Sequence, residues 1–240
     1  MTDEAVQRLL DGFVASTSSL PAQAIWVHGS LALGDFVPSR SDLDLVCVVA
    51  GDPDPAAIKA IHRPLTSPLG RRLHCTYIPV DSLADATLRH PTFAQERYFA
   101  RPVTPVTRRE LLLADRALAG PPPSSLLPAT TDAELADFVR TDLLTFWHPV
   151  TRKRRPWLRD IWVDLAMVTL ARAETTLRTG TLITKQAALA RLPALGAPAA
   201  VVEDIHRRRY GGAVNRSTSW RLHRADLTRT YLRAKIPSIV

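Results

Sequence analysis

One stretch of the sequence combines a glycine-serine pair with two closely spaced aspartates. Gly29 and Ser30 end an apolar run, and Asp42 follows Ser30 by twelve residues, with Asp44 two residues later. Glycine has no Cβ atom, so a phosphate can approach the backbone closely there, and a following helix presents free amide donors. Aspartates two residues apart on a strand project from the same face and can share a divalent cation. The pattern predicts a site for a nucleotide and Mg²⁺. Substrate phosphates would complete the coordination shell of the metal.

Each half of this pattern is common by itself, because Gly-Ser alone marks a turn and Asp-x-Asp alone is often a solvated strand face. Here Asp42 and Asp44 flank Leu43 and precede an apolar run over 45–49. Two neighbouring like charges in such a place are destabilising unless a cation neutralises them. The combination therefore favours a metal site over a simple turn followed by a solvated strand face.

Hydrophobic periodicity indicates the elements that must position these residues. It predicts a helix over 3–18, strands over 24–28, 43–49 and 72–80, and a crossover helix over 53–64. The N-terminal part is expected to form a small mixed sheet with helices on it.

A proline-rich break suggests a second domain. Gly120 is followed by three prolines and two serines, a composition that stops secondary structure. We predict a first domain with the mixed sheet over 1–122 and a second, helical domain over 123–240. Helical spacing recurs over 132–147, 157–179, 184–192, 198–210 and 219–234. The predicted fold class is α+β, with an α-helical bundle at the C-terminus.

Composition limits the partners and the compartment. The net charge of +8 and pI near 10.2 favour anionic partners such as nucleotides or nucleic acid. No apolar stretch approaches the roughly 18 residues of a membrane span, and Asp3 and Glu4 replace the basic start of a secretory signal. Cys47 and Cys75 lie in apolar runs and are expected to be buried, reduced thiols. We expect a cytoplasmic protein with no membrane partner.

The Gly29-Ser30 pair, its spacer and the Asp42-x-Asp44 pair resemble the signature of the nucleotidyltransferase superfamily related to DNA polymerase β. With Ser41 before Asp42, this form is similar to the streptomycin/spectinomycin-type aminoglycoside adenylyltransferases. Residues 178–188 also resemble the family's C-terminal segment, in which a Thr-Gly pair precedes a phosphate-binding lysine. The likeness extends to 111–120 and 164–172.

The resemblance implies a two-domain enzyme that transfers AMP from ATP to a hydroxyl of a small acceptor, such as an aminoglycoside antibiotic. It implies that 1–122 is the nucleotidyltransferase domain and that 123–240 is the helical substrate-binding domain. It implies that Asp42 and Asp44 are catalytic ligands of Mg²⁺. It also implies that the nucleotide is bound by a set of four residues: Gly29, Ser30, Ser41 and Lys185. For Lys185 alone, an ordinary lysine at a helix start is an equally good interpretation.

The third strand departs from the family's pattern. The family has a glutamate there as general base, whereas this sequence has His74 in that place. Histidine can remove a proton near neutral pH, so His74 is our candidate base. Three alternatives stay open: His74 is a structural strand residue, Asp81 or Glu96 supplies the base, or catalysis is lost.

The acceptor is less well defined. Asp160 and Asp164 are one helical turn apart, with Trp157 and Trp162 nearby, and we predict that they form an acidic, aromatic wall for an amino sugar. A surface helix with ordinary core tryptophans is the alternative. The basic run over 152–155 argues against a polycationic acceptor, although overall charge does not decide a local pocket.

Three functions therefore compete. The first is nucleotidyl transfer to a small hydroxylated acceptor, and the second is a same-fold enzyme that modifies a protein side chain or an RNA end. The third is a nucleotide-binding protein without transferase activity. A DNA-binding module is disfavoured, because the sequence has no DNA-recognition motif and because DNA binding would not explain the paired aspartates.

Overall fold

The computed structural model describes residues 4–211 and 217–240, so Asp3 of the predicted first helix lies outside the described residues. The chain divides into two compact units, Met1–Thr131 and Asp132–Val240. We call them unit 1 and unit 2.

Unit 1 is built on one mixed sheet of six strands. The strands are β1 (Ala22–His28), β2 (Leu43–Val49), β3 (Leu73–Pro79), β4 (Arg89–Ala94), β5 (Arg97–Pro102) and β6 (Ala117–Ala119). Their order in the sheet is β5-β4-β3-β2-β1-β6. Only the pair β2 and β3 is parallel among these strands, and the other pairs are antiparallel.

The described residues of unit 1 also form five α-helices: α1 (Glu4–Ser16), α2 (Gly29–Ala32), α3 (Pro55–His62), α4 (Pro105–Ala114) and α5 (Pro123–Leu126). Apolar residues of α1 and α3, including Phe13 and Ile58, pack with Leu45 and Cys75 on one face of the sheet. Alternation along β2 turns Val46 to the opposite face, where it belongs to the core cluster that contains Leu111 of α4. The predicted crossover helix is α3, which connects the parallel strands.

The proline run does not end unit 1. Trp26 donates its indole N–H to the carbonyl of Pro121 (2.8 Å), which holds the run against the sheet. Leu126 and Leu127 then pack on the core that contains Trp26, so the unit continues through Thr131. The predicted boundary near residue 123 therefore lies before the last apolar residues of unit 1, Leu126 and Leu127. The functional assignment of the two domains stays a prediction.

Unit 2 is helical. Its helices are α6 (Asp132–Asp142), α7 (His148–Val150), α8 (Asp160–Thr179), α9 (Lys185–Arg191), α10 (Ala199–Tyr210) and α11 (Thr218–Lys235). The long helix α8 buries Val163, Met167 and Leu170. It ends at Gly180, whose φ of 70° provides a left-handed cap. The predicted α+β class, with a mixed sheet followed by helices, is confirmed.

The two cysteines agree with the prediction of buried thiols. Cys47 and Cys75 are both free and buried. Burial raises the pKa of the Cys47 thiol to about 12 and raises that of Cys75 well above its usual range. Such thiols are poor nucleophiles and poor metal ligands.

In the described part of the chain, every helix is too short or too polar to cross a bilayer.

Candidate active site

Strand pairing brings Asp44 and His74 together. The two are register partners on the parallel strands β2 and β3. The Nδ1 atom of His74 lies 3.4 Å from Oδ1 of Asp44, and its Nε2 atom lies 3.9 Å from Oδ1 of Asp42. The imidazole therefore faces both carboxylates, and the three predicted catalytic residues form one cluster.

The turn after β1 closes against the same cluster. Gly29 has a φ of 65°, and a Cβ atom there would lie 2.8 Å from Oδ2 of Asp44. Both the backbone conformation and the close approach require glycine. Ser30 follows in the first turn of α2, so the Gly-Ser pair lies directly beside the acidic pair, as a phosphate cradle would require.

A short loop before β2 fixes the position of Asp42. The Ser41 hydroxyl accepts a hydrogen bond from the Val37 amide at 2.9 Å. The guanidinium of Arg72 donates to the carbonyls of Ser41 (2.8 Å) and Pro38. Ser41 is therefore a loop-stabilising residue here, and its predicted nucleotide contact stays a prediction.

Two further site residues, His28 and Glu110, were not predicted. His28 is the register partner of Asp44 on β1, so it lies on the same sheet face. Its Nδ1 atom is 3.6 Å from Oε2 of Glu110 on α4, and both residues are buried. For His28, the signal available in the sequence was its position just before Gly29. For Glu110 the sequence offers no signal, because nothing in it indicates that α4 crosses β1.

The alternative bases are differently placed. Glu96 lies in the turn between β4 and β5 and pairs with Arg71 at 3.4 Å. Asp81 follows the far end of β3, about 20 Å along the strand from His74 at roughly 3.3 Å per residue. Neither observation brings these carboxylates to Asp44, whereas His74 is in contact with it.

The donor set suits Mg²⁺ held by two aspartates. Asp42 and Asp44 offer the carboxylate oxygens that this ion prefers, and their side chains are partly exposed. Within residues 4–211 and 217–240, no group of three or more His, Cys, Asp or Glu side chains is arranged to hold a metal. Mg²⁺ does not require such a group, because it is commonly bound by one or two carboxylates together with substrate phosphates.

Lys185 begins α9 in unit 2. Thr184 caps this helix by accepting a hydrogen bond from the Ala187 amide at 3.1 Å. Arg172 of α8 donates to the Ile183 carbonyl at 2.9 Å, which holds the segment before the cap. The Lys185 side chain is exposed. Its predicted phosphate contact stays a prediction.

The predicted acidic wall in unit 2 has a different character in the structure. Trp157 is fully buried and donates its indole N–H to the Val150 carbonyl at 3.2 Å, so its ring belongs to the core. Trp157 therefore presents no surface to an acceptor, which corrects that part of the prediction. The core alternative was the better interpretation for this residue.

The two wall aspartates are paired with arginines. Asp164 lies 2.6 Å from Arg208, and Asp160 lies 2.8 Å from Arg224. Burial raises the pKa of the Asp164 carboxyl, although the hydrogen bond and charge of Arg208 act against this rise. These ion pairs neutralise the aspartates, and a contact of either with an acceptor stays a prediction.

Comparisons with known proteins place the fold. No protein-family model matches the sequence, and no curated protein is significantly similar to it. A solved structure, the spectinomycin adenyltransferase AAD(9) from Enterococcus faecialis with ATP and spectinomycin, is similar in three dimensions. The match covers 95% of this chain and 99% of that one, with a TM-score of 0.68 and 14% sequence identity. The expected nucleotidyltransferase fold is confirmed, and an identity this low shows the fold alone.

Proposed function

We propose that this protein is a Mg²⁺-dependent nucleotidyltransferase that moves AMP from ATP to a hydroxyl of a small acceptor. The observation that carries the proposal is the convergence of Gly29, Asp42, Asp44 and His74 at one end of the sheet. This cluster stands in a chain whose fold matches an adenyltransferase solved with ATP and spectinomycin.

Nucleotidyl transfer depends mainly on positioning and on neutralising phosphate charge. In our proposal, Gly29 and Ser30 hold the triphosphate through their backbone amides, while Asp42 and Asp44 hold the metal. Lys185 of unit 2 would neutralise further phosphate charge. Mg²⁺, when bound, would supply charge neutralisation at the phosphates.

His74 is the proposed general base. The acceptor oxygen attacks the α-phosphorus of ATP, the bond to pyrophosphate breaks, and the hydroxyl proton passes to an imidazole nitrogen. Register pairing with Asp44 holds the ring at the acidic end of the sheet. A positioned base of this kind commonly contributes about 10²–10⁴-fold to the rate.

An aminoglycoside is the acceptor that the similar structure suggests, since that protein was solved with spectinomycin. The second candidate function is a nucleotide-binding protein without transferase activity. The observation that favours it is the imidazole in place of a third carboxylate, with both ring nitrogens directed at aspartates. A cytoplasmic location stays a prediction.

The test is incubation with Mg²⁺, α-labelled ATP and a panel of aminoglycosides, lincosamides and nucleosides, beside Asp42→Asn as a control. We expect transfer of label to one class of acceptor and its loss in the variant. Equal transfer by the variant would contradict the metal site. Mg²⁺-dependent ATP binding without any transfer would favour the binding protein or a macromolecular acceptor.

A further inference from the structure

The edge strand β5 carries a pattern that the catalytic cluster does not use. Arg97, Phe99 and Arg101 alternate along it and share one face, because successive strand residues point to opposite sides. An aromatic ring between two guanidinium groups is a recognition surface for planar or anionic ligands.

Strand register places this pattern on the catalytic face. Phe99 pairs with Thr92 of β4, and Thr92 pairs with Thr76 of β3. Thr76 follows His74 by two residues, so both point to the same side of the sheet. The hydroxyls of Thr76 and Thr92 are 3.1 Å apart, which is a direct contact on that face.

Arg101 reaches toward the catalytic cluster. Its Nε atom donates a hydrogen bond to the Thr76 hydroxyl at 3.2 Å. Two residues of strand span about 6.6 Å, so the guanidinium lies one side-chain repeat away from His74. That spacing fits a ligand that bridges both groups.

The surface is accessible and cationic. Phe99 is 41% exposed, and Arg97 is exposed as well. Over the part of the chain that the structure describes, neither Arg97 nor Arg101 forms an ion pair with a carboxylate. Their positive charge is therefore available to a ligand.

A polycation would be repelled by this surface. The whole chain carries a net charge of +8. Local and overall charge therefore agree in favouring a negatively charged ligand.

We propose that β5 selects a small acceptor that carries an anionic group, a phosphate or a carboxylate, near the hydroxyl that receives AMP. Arg97 and Arg101 bind the anionic group through their planar N–H donors, and Phe99 packs against the acceptor ring. This inference rests on the proposed function, because it names the acceptor class of the same site.

The experiment compares four hydroxylated acceptor sets with matched rings: neutral sugars, sugar phosphates, sugar acids and aminoglycosides. Variants Arg97→Gln and Arg101→Gln are assayed beside Arg63→Gln, an exposed arginine after α3, the helix on the opposite sheet face. We expect the anionic sets to be preferred and each β5 variant to raise their KM about tenfold, the effect of losing one charged hydrogen bond. The β5 variants should leave the Kd for Mg·ATP unchanged, and Arg63→Gln should leave the KM of the anionic acceptors unchanged. Arg97→Lys should raise that KM less than Arg97→Gln does.

Preference for phosphates over sugar acids, or the reverse, identifies the anionic group. Modification of aminoglycosides with no effect of the β5 variants would overturn the inference and leave the proposed function intact. If no acceptor is modified, binding of the sugar phosphates is measured by calorimetry. Binding by the wild type that is lost in the β5 variants supports the inference, and absence of binding by the wild type overturns it. Arginine-dependent binding of a short RNA oligonucleotide, without binding of the small anions, would overturn it in favour of nucleic acid.

Discussion

The Nδ1 atom of His74 lies 3.4 Å from Oδ1 of Asp44, and the two residues are register partners on parallel strands. The sheet backbone therefore holds the imidazole against the carboxylate. His74→Ala removes the proposed proton acceptor without removing a strand residue. We expect kcat to fall by about 10²-fold or more, because that is the usual contribution of a positioned base. Steady-state kinetics with Mg·ATP would measure it.

The nucleotide affinity of the same variant separates a base from a structural residue. The Kd for Mg·ATP should change far less than kcat if His74 acts on the acceptor. His74→Glu should retain more turnover than His74→Ala, since a carboxylate can also accept the proton. Equal losses of turnover and of nucleotide affinity, or no loss of either, would argue for a structural role.

Gly29→Ala should weaken nucleotide binding. Its Cβ atom would lie 2.8 Å from Oδ2 of Asp44, and the φ of 65° disfavours any side chain. The carboxylate or the turn must shift, and either shift displaces the phosphate cradle from the metal ligand. We expect a Kd for Mg·ATP raised by about tenfold or more, measured by calorimetry.

Gly34→Ala is the matched control for that experiment. Gly34 also has a left-handed φ, 75°, but a Cβ atom there meets nothing within 4 Å. It shares the backbone strain of about 1 kcal/mol and lacks the contact with Asp44. Similar losses of nucleotide affinity in both variants would show that strain in this segment, and not the approach to Asp44, is responsible.

The sequence was informative where a local pattern determines the structure. The Gly-Ser turn and the Asp-x-Asp pair were predicted because glycine conformation and strand alternation act within a few residues. The β4–β5 hairpin was missed because Pro91, Pro102 and the exposed arginines interrupt the apolar alternation that marks a strand. The edge strand β5 tolerates such residues, since one of its sides forms no ladder, and the ladder of β4 with β3 is confined to Thr92 and Phe93, which leaves Pro91 outside it.

Contacts between distant elements were beyond a sequence pattern. The approach of Glu110 to His28 depends on how α4 crosses β1, and no periodicity encodes that crossing. The burial of Trp157 likewise depends on the packing of unit 2. The alternation of Arg97, Phe99 and Arg101 is visible in the sequence, but strand register was needed to assign it to the face of His74.

The stability of the protein should fall between pH 6.5 and pH 4 because of His62. Burial, with a smaller contribution from the charge of His74, lowers the pKa of His62 to about 4. The unfolded chain, with an ordinary histidine pKa near 6.5, then binds a proton that the folded state excludes. The free energy of unfolding should therefore decrease by about 2 kcal/mol from pH 7 to pH 5 through this residue.

His62→Gln provides the test, because glutamine does not titrate and can still bond the Tyr77 hydroxyl, now 3.0 Å from Nε2 of His62. Urea unfolding at pH 5 and pH 7 should show a smaller pH dependence for this variant. His206→Gln, at an exposed position on α10, should retain the wild-type dependence. A wild-type slope in His62→Gln would assign the acid sensitivity to other groups.

Asp204 should be a major determinant of the stability of unit 2. This buried carboxylate accepts hydrogen bonds from Arg208 of the same helix (3.0 Å) and from Arg224 (2.9 Å) and the Trp220 indole (3.2 Å) of α11. The last two bonds join α10 to α11. Burial tends to raise its pKa, but these donors and the charge of Arg208 lower it, so the carboxylate stays ionised.

Asp204→Ala would remove the buried counter-charge of Arg224, whose side chain is 1% exposed, and leave it, among the described residues, only the half-exposed carboxylate of Asp160. Breaking a buried ion pair in this way costs about 3–5 kcal/mol, which urea unfolding would measure. Glu203→Ala removes the neighbouring carboxylate on the same helix, whose pair with Arg207 is exposed, and should cost less than about 1 kcal/mol. Equal effects of the two substitutions would show that burial does not strengthen the network, whereas a large effect confined to Asp204→Ala would establish that the network holds α10 against α11.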